Sequence, residues 1–373
     1  MSSSSNETDP NRHERAGRTR ATALITGLLI ASLSHTVAAK AETKPSKSHL
    51  RRKAWRGGVN ETVEFPEDLA LPALEAMRAA GQAGGIRLPG PVGAPVEFSL
   101  CGYSPGSRAT FEARAGDRRV AVKVYAEDPA PEVALYVSLA AAGLAGDSGA
   151  RVPPLLAWEH DLRALVIGWL EGPTARDLVR SGQGRRAGEL GARWFQRTAS
   201  LPVKLGPPLG AAQMLQRARD WAAGFLPIDS ALGTKARELA EILAGTQPKE
   251  EGTPRLVHGT LYARHILDCG DGPGVIDWQR FGQGPMELDA GTFLATILRI
   301  GLLDKTRETE AVQAQEAFLA GTAGLLDKRS LAWHEAAMLL RLAGKQDRRH
   351  DDRWQERAHA LLDEATRLAE TAG

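Results

Sequence analysis

The chain has 373 residues, 43% hydrophobic and 25% charged, with a formal net charge of +2. That length suits about two or three folding units with buried cores and no need of disulfide staples. The composition excludes wholesale disorder, and the 39 glycines show no G-x-y period, which excludes a collagen-like chain.

The small net charge is a composite. Residues 1–56 carry 11 Lys/Arg against 4 Asp/Glu, and the remainder is net −5. An acidic body without a basic stripe argues against nucleic acid as a partner.

Residues 1–60 form a basic leader and linker. Arg12, Arg15, Arg18 and Arg20 precede an apolar run, Ala23 to Leu33, and then the small residues Ala38, Ala39 and Ala41. This is the layout of a secretory signal, with cleavage after Ala39 or Ala41, or of a weak membrane anchor over residues 21–41. The other reading is a start assigned too far upstream. A membrane contact is expected only if this segment is retained. Cys101 and Cys269 are too few for a disulfide framework, so a reducing, cytoplasmic location is the expectation for the body, with membrane anchoring or export as the alternative.

Residues 61–95 read as a short helix, 66–80, followed by a Gly/Pro-rich loop. The period then changes to two. Residues 96–101, 109–114 and 119–125 alternate apolar and polar, separated by Gly102 with Ser104-Pro-Gly-Ser107 and by Ala115-Gly-Asp117. These are three antiparallel strands. A helix follows over 131–142, then two strands, 152–158 and 164–169. Helical spacing dominates from 174: 174–180, 187–199, 211–225 and 230–243. A strand pair, 258–269 and 274–278, turns at Gly270-Asp-Gly-Pro-Gly274. Helices then fill 287–302, 307–325, 329–344 and 351–370. A small sheet followed by a mostly helical half is an α+β architecture.

Lys123 shares its strand face with Ala121 and Tyr125, while Val120, Val122 and Val124 point the other way. On residue type alone it is either a solvated lysine or a buried ammonium facing an anion. Glu132 lies in the first turn of the next helix, where the helix dipole favours a carboxylate.

The most specific segment is His258-Gly-Thr-Leu-Tyr-Ala-Arg-His265, followed by Val275-Ile-Asp-Trp278 and Glu287-Leu-Asp-Ala290. It resembles the catalytic core of the aminoglycoside phosphotransferase and choline-kinase-like family, relatives of the protein kinases, whose pattern is close to H-G-D-L-H-x-x-N, then I-D-[WFG], then D-L-A. The resemblance runs from about Phe98 to Ala365. It implies a two-lobe, protein-kinase-like α+β fold, with a small antiparallel-sheet N-lobe over 96–171. A helical C-lobe over 172–373 would carry the catalytic-loop hairpin.

The resemblance also implies ATP and Mg²⁺ as cofactors and assigns roles. Lys123 looks like the strand lysine that holds the ATP phosphates, and Glu132 like its helix partner, with Glu127 near enough to compete. Ile167 to Trp169 looks like the hinge that meets the adenine. The turn from Tyr103 to Arg108, with Gly106, would lie over the phosphates, although it is no G-x-G-x-x-G. Asp277 looks like the metal-binding aspartate, and His258 with Asp289 like the pair that braces the catalytic loop.

Four positions depart from the pattern. Thr260 stands where the family has its catalytic aspartate, and His265 where it has a metal-binding asparagine. Tyr262 replaces a histidine and Arg264 a small residue. A threonine cannot accept the substrate proton as a carboxylate does, and such a base is typically worth about 10²–10⁴-fold. His265 is a poor ligand for Mg²⁺, which prefers oxygen; it suits a softer metal or a purely structural hydrogen bond. The expectation is ATP-dependent phosphoryl transfer to a small hydroxylated or amino compound, weakened or lost. The alternative is a pseudokinase that binds nucleotide or regulates. Asp220, Glu287, Glu335 and Asp347 are the acidic residues available to receive a cationic substrate.

Overall fold

The computed structural model describes residues 65–82, 96–249, 253–345 and 351–373. The leader, the Gly/Pro-rich loop and Asp347 lie outside these residues. The chain divides into two compact units: Met1–Val137 with Pro153–Trp169, and Ser138–Val152 with Leu170–Gly373. Among the described residues no helix is long and apolar enough to cross a membrane.

The first unit is built on a five-stranded antiparallel sheet. Helix α1 (Pro72–Gln82) precedes strands β1 (Glu97–Ser104), β2 (Arg108–Ala115) and β3 (Arg118–Tyr125). Helix α2 (Ala130–Ala141) follows, then β4 (Leu155–Glu159) and β5 (Ala164–Gly168). The strand order is β1-β2-β3-β5-β4. The period-two pattern places Val120, Val122 and Val124 in one core with Phe98 and Phe111, and α1 adds Leu71, Leu74 and Met77. Lys123 therefore leaves the sheet on the opposite face.

Two boundaries differ from the sequence expectation. Helix α1 begins at Pro72, not at 66, because proline is pre-set for the first helical position and a turn closed by Leu71 N–H on the Asp68 carbonyl precedes it. Strand β4 begins at Leu155, not at 152, because Pro153 and Pro154 have no N–H to offer a ladder.

The second unit is mainly helical: α3 (Ala175–Arg180), α4 (Gly184–Thr198), α5 (Ala211–Ala223), α6 (Ser230–Gly245), α7 (Met286–Leu303), α8 (Glu308–Gly321), α9 (Lys328–Gly344) and α10 (Trp354–Thr371). Local chemistry sets several starts. Thr174 and Asp177 form a reciprocal capping box on α3, and the Asp229 carboxylate accepts the first N–H groups of α6. The core of this unit gathers Trp333, Phe225, Leu239 and Leu361. The Trp333 indole N–H donates to the Leu243 carbonyl at 2.8 Å, tying α9 to α6.

Four short strands sit among these helices. Strand β6 (Arg255–Val257) pairs with β9 (Gly282–Gly284), and β7 (Ile266–Asp268) with β8 (Pro273–Val275). The single strand expected over 258–269 does not form. Residues 258–262 are irregular and Ala263–His265 is a 3-10 turn. The amides of His258 and Gly259 donate to a side chain instead of a ladder, and Gly259 has φ +76°, which no strand accommodates.

Candidate functional site

In the first unit the lysine question is settled by geometry. Lys123 and Glu132 are 4% and 5% exposed, and the Lys123 ammonium donates to Glu132 Oε1. The Tyr125 hydroxyl donates to Glu132 Oε2 at 2.7 Å, so both carboxylate oxygens are used. Lys123 is thus the buried ammonium facing an anion, the less usual of the two alternatives. Glu127 is exposed and does not compete for it.

Ile167 is buried in β5 and pairs with Ala121. Trp169 lies just past the end of that strand, with the Arg119 guanidinium 4.4 Å from its ring centre. Gly106 sits at the tip of the β1–β2 hairpin with φ +67°. Its N–H donates to Asp68 Oδ2 at 2.7 Å, and the Tyr103 hydroxyl donates to the same oxygen at 3.0 Å. The Gly106 amide first, then the Ala70 amide and the Tyr103 hydroxyl, hold the Asp68 carboxyl below its usual range.

In the second unit the motif residues meet around the irregular segment 258–265. The buried Asp289 carboxylate, in the first turn of α7, accepts the N–H of His258 at 2.5 Å and of Gly259 at 2.9 Å. Burial pushes this carboxyl up, and the surrounding amides and His258 oppose that. His258 meets Asp289 through its backbone and not its ring, whose Nε2 lies 2.9 Å from the Ile276 carbonyl and so must donate to it. A Cβ at Gly259 would stand 2.1 Å from the Arg280 carbonyl oxygen, so only glycine fits there.

Thr260 is 8% exposed, and its carbonyl accepts from His265 Nδ1 at 2.8 Å. Burial, then the neighbouring His258, pushes His265 down to about 3, so the ring is neutral near neutral pH. With the proton on Nδ1, Nε2 is left as a lone pair 3.3 Å from Asp277 Oδ2. Asp277 itself has φ +71°, a left-handed conformation that aspartate adopts more readily than most residues.

These groups meet part of what a nucleotide and its metal require. Mg²⁺ is commonly held by one or two carboxylates together with substrate phosphates. Asp277 supplies one such carboxylate, whereas His265 offers nitrogen where oxygen is wanted. Among the described residues no group of three or more His, Cys, Asp or Glu side chains is arranged to hold a metal. The donor set therefore fits one Mg²⁺ carried by phosphates, not an all-protein cage.

The acidic residues expected to receive a cationic substrate have other settings. Asp220 is exposed and bonded by Gln216, Glu287 accepts the Asp327 N–H at 2.8 Å, and Glu335 is buried and pushed up to about 8. Sequence reasoning missed the cations around Tyr262: Arg264 lies 4.4 Å and Arg341 5.6 Å from its ring centre. Arg264 was visible as a departure from the motif, but nothing in the sequence links it to Arg341.

Similar proteins were found by family and by structure. No curated protein sequence matches the chain. A choline/ethanolamine kinase family protein from Mesorhizobium loti is 17% identical with a TM-score of 0.50, covering 79% of this chain and 95% of its own. The choline kinase LicA from Streptococcus pneumoniae is 11% identical with a TM-score of 0.50, covering 74% and 94%. A thermostable mutant of aminoglycoside phosphotransferase APH(4)-Ia, in a ternary complex with ADP and hygromycin B, is 13% identical with a TM-score of 0.51, covering 74% and 95%. These likenesses show the fold: two-lobe, protein-kinase-like α+β, with an antiparallel-sheet N-lobe and a helical C-lobe. The family model described as phosphotransferase enzyme family matches residues 102–325. That span takes in Lys123, the His258-Gly259 segment, Asp277 and Asp289, and on it the chain belongs to the phosphotransferase enzyme family.

Proposed function

We propose that the protein binds ATP with Mg²⁺ and is a phosphotransferase toward a small hydroxylated or amino compound, with transfer strongly attenuated. The observation that carries this is the buried Lys123–Glu132 pair. A buried ion pair contributes little net stability compared with well-packed apolar residues. Its presence at Lys123, between Val122 and Val124 on β3, fits a role in holding phosphate. Glu132 orients the ammonium, and Tyr125 orients Glu132.

Asp277 would hold the Mg²⁺, whose part when bound is to neutralise phosphate charge. Asp289 fixes the backbone of the segment that carries Thr260. Thr260 offers a neutral hydroxyl and accepts no proton. His265 does not substitute as base, because an imidazole held near 3 has little affinity for a proton at neutral pH. The rate is therefore expected about 10²–10⁴-fold below that of a protein with a carboxylate at that position.

A second reading is favoured by the same two residues: a pseudokinase that binds nucleotide without transfer. Thermal stabilisation by ATP, with and without Mg²⁺, tests the shared part. A Mg²⁺-dependent shift in the wild type, lost in Asp277→Asn and in Lys123→Ala, is expected; no shift at saturating ATP refutes nucleotide binding. Turnover separates the readings. Transfer in the wild type should be slow and should rise in Thr260→Asp/His265→Asn. A wild type already as fast as that variant overturns the assigned importance of Thr260, and zero transfer by both assigns the pseudokinase.

A further inference from the structure

Five cations of the second unit collect beside the Thr260 segment. The Arg264 guanidinium lies 4.4 Å from the centre of the Tyr262 ring, and the Arg341 guanidinium 5.6 Å from the same ring and 5.5 Å from that of Trp221. The main chain of Arg280 lies against Gly259. Arg217 is one turn before Trp221 on α5, and Lys345 is one turn after Arg341, at the C-cap of α9.

The charges act on one another. Arg217 is held below its usual range by burial first, then by Arg280 and Arg341. Lys345 is pushed down to about 8 by burial, then by Arg341, Arg264 and Arg280. Arg341 is lowered by burial and, beyond that, by Arg280, with Tyr262 opposing. Arg264 is lowered by burial, and Asp277 is the one carboxylate among the principal charges acting on these four. Among the described residues none of the five cations closes an ion pair with a carboxylate.

A structural account covers only part of this. Cations in the last turn of a helix are favoured by its dipole, which accommodates Arg341 and Lys345. It does not accommodate Arg217 on α5, or Arg264 and Arg280 outside helices. A second observation comes from the residue at the centre. Tyr262 is 5% exposed, and its buried hydroxyl has no hydrogen-bond partner among the described residues. Buried polar groups are almost always satisfied, so an orphaned donor amid unpaired guanidinium groups marks a place for an acceptor.

We infer that Arg264, Arg341, Arg280, Arg217 and Lys345, with the Tyr262 hydroxyl, form the recognition site for a small substrate bearing a phosphate or carboxylate group. The inference rests on the phosphotransferase reading and narrows its substrate class. A cationic compound, for which the sequence offered Asp220 and Glu287, meets repulsion here. Arginine suits the task because its planar fork matches both oxyanions.

Calorimetric titration of the full chain at constant ionic strength tests the site. Glucose 6-phosphate and citrate are the anionic probes and separate the phosphate source from the carboxylate source. Glucose and spermidine are the controls. At least one anion should bind, more tightly than either control. Arg264→Gln/Arg341→Gln should lose at least about tenfold in affinity. Arg264→Lys/Arg341→Lys keeps the charge but loses the planar fork, so it should bind more weakly than the wild type yet more tightly than the Gln variant, which guards against a merely misfolded variant. Lys123→Ala should leave probe binding unchanged while losing ATP; failure of the wild type to bind ATP, with the probe still bound, sinks the nucleotide reading alone. Equal probe affinity in wild type and the Gln variant overturns the inference. So does tighter binding of spermidine, or a single-stranded oligonucleotide that outbinds both anions and assigns the surface to nucleic acid.

Discussion

Replacing Asp289 with alanine strands the amides it holds. The carboxylate accepts from His258 and Gly259 at 2.5 and 2.9 Å, inside the protein and away from water. A buried donor left unsatisfied costs about 1–3 kcal/mol, so the two amides together forfeit about 2–6 kcal/mol. Relief of the desolvated carboxyl returns part of this, and the net expectation for Asp289→Ala is a loss of about 3 kcal/mol. Asp289→Asn keeps one acceptor oxygen and should lose about 1–2 kcal/mol. Urea unfolding measures both; with a slope near 3 kcal/mol/M, the alanine variant's midpoint falls by about 1 M. Amide hydrogen exchange supplies a local reading, since His258 and Gly259 should exchange faster in Asp289→Ala while the amides of β3 do not. Unchanged exchange at these two amides, with stability within about 0.5 kcal/mol of wild type, refutes the bracing role.

Three further outcomes follow from burial and backbone shape. Glu335 is pushed up to about 8, mainly by burial, against an ordinary value of 4.5. The folded state holds the proton longer than the unfolded one, so this contribution to stability is complete below about 4.5 and is lost as pH rises toward 8. At about 1.4 kcal/mol per unit, the loss reaches at most about 5 kcal/mol. Glu335→Gln should flatten the decline in urea midpoint between about pH 6 and pH 8, and an unaltered slope refutes the burial argument. His334 acts on the other limb: burial holds it down to about 3, so its contribution is lost as pH falls below about 6.5. Gly259→Ala places a Cβ 2.1 Å from the Arg280 carbonyl oxygen at a left-handed φ. It should cost at least about 2 kcal/mol in urea unfolding, and a neutral result would mean the 258–262 segment rearranges freely.

What the sequence made legible depended on the range of the forces involved. The valine alternation in β3 and the spacing of His258, Asp277 and Asp289 reflect local geometry, and the latter three lie about the one segment 258–265. The strand over 258–269 was misread because its apolar residues alternate well enough. What stops the ladder is a carboxylate 30 residues away that takes the amides of His258 and Gly259. The burial of Lys123 was equally out of reach from its strand alone, since it depends on where α2 delivers Glu132. The cations at 217, 264, 280, 341 and 345 are spread over four stretches of an acidic body, and net charge averages them away. Only the packing of α5, α9 and the Tyr262 segment shows that they are neighbours.

The hydrogen bond from His265 to the Thr260 carbonyl ties the side chain of one atypical position to the backbone of the other. The imidazole holds the backbone at residue 260 as well as facing Asp277, so exchanging either residue alone changes the footing of the other. Residues that share such a contact show interaction energies of about 0.5–3 kcal/mol. Thr260→Asp alone installs a carboxylate on a backbone still held by the imidazole, and His265→Asn alone loosens a loop that has no base to position. Activity along the path from this sequence to an Asp/Asn pair should therefore be epistatic, with the double change gaining more than the two single changes combined.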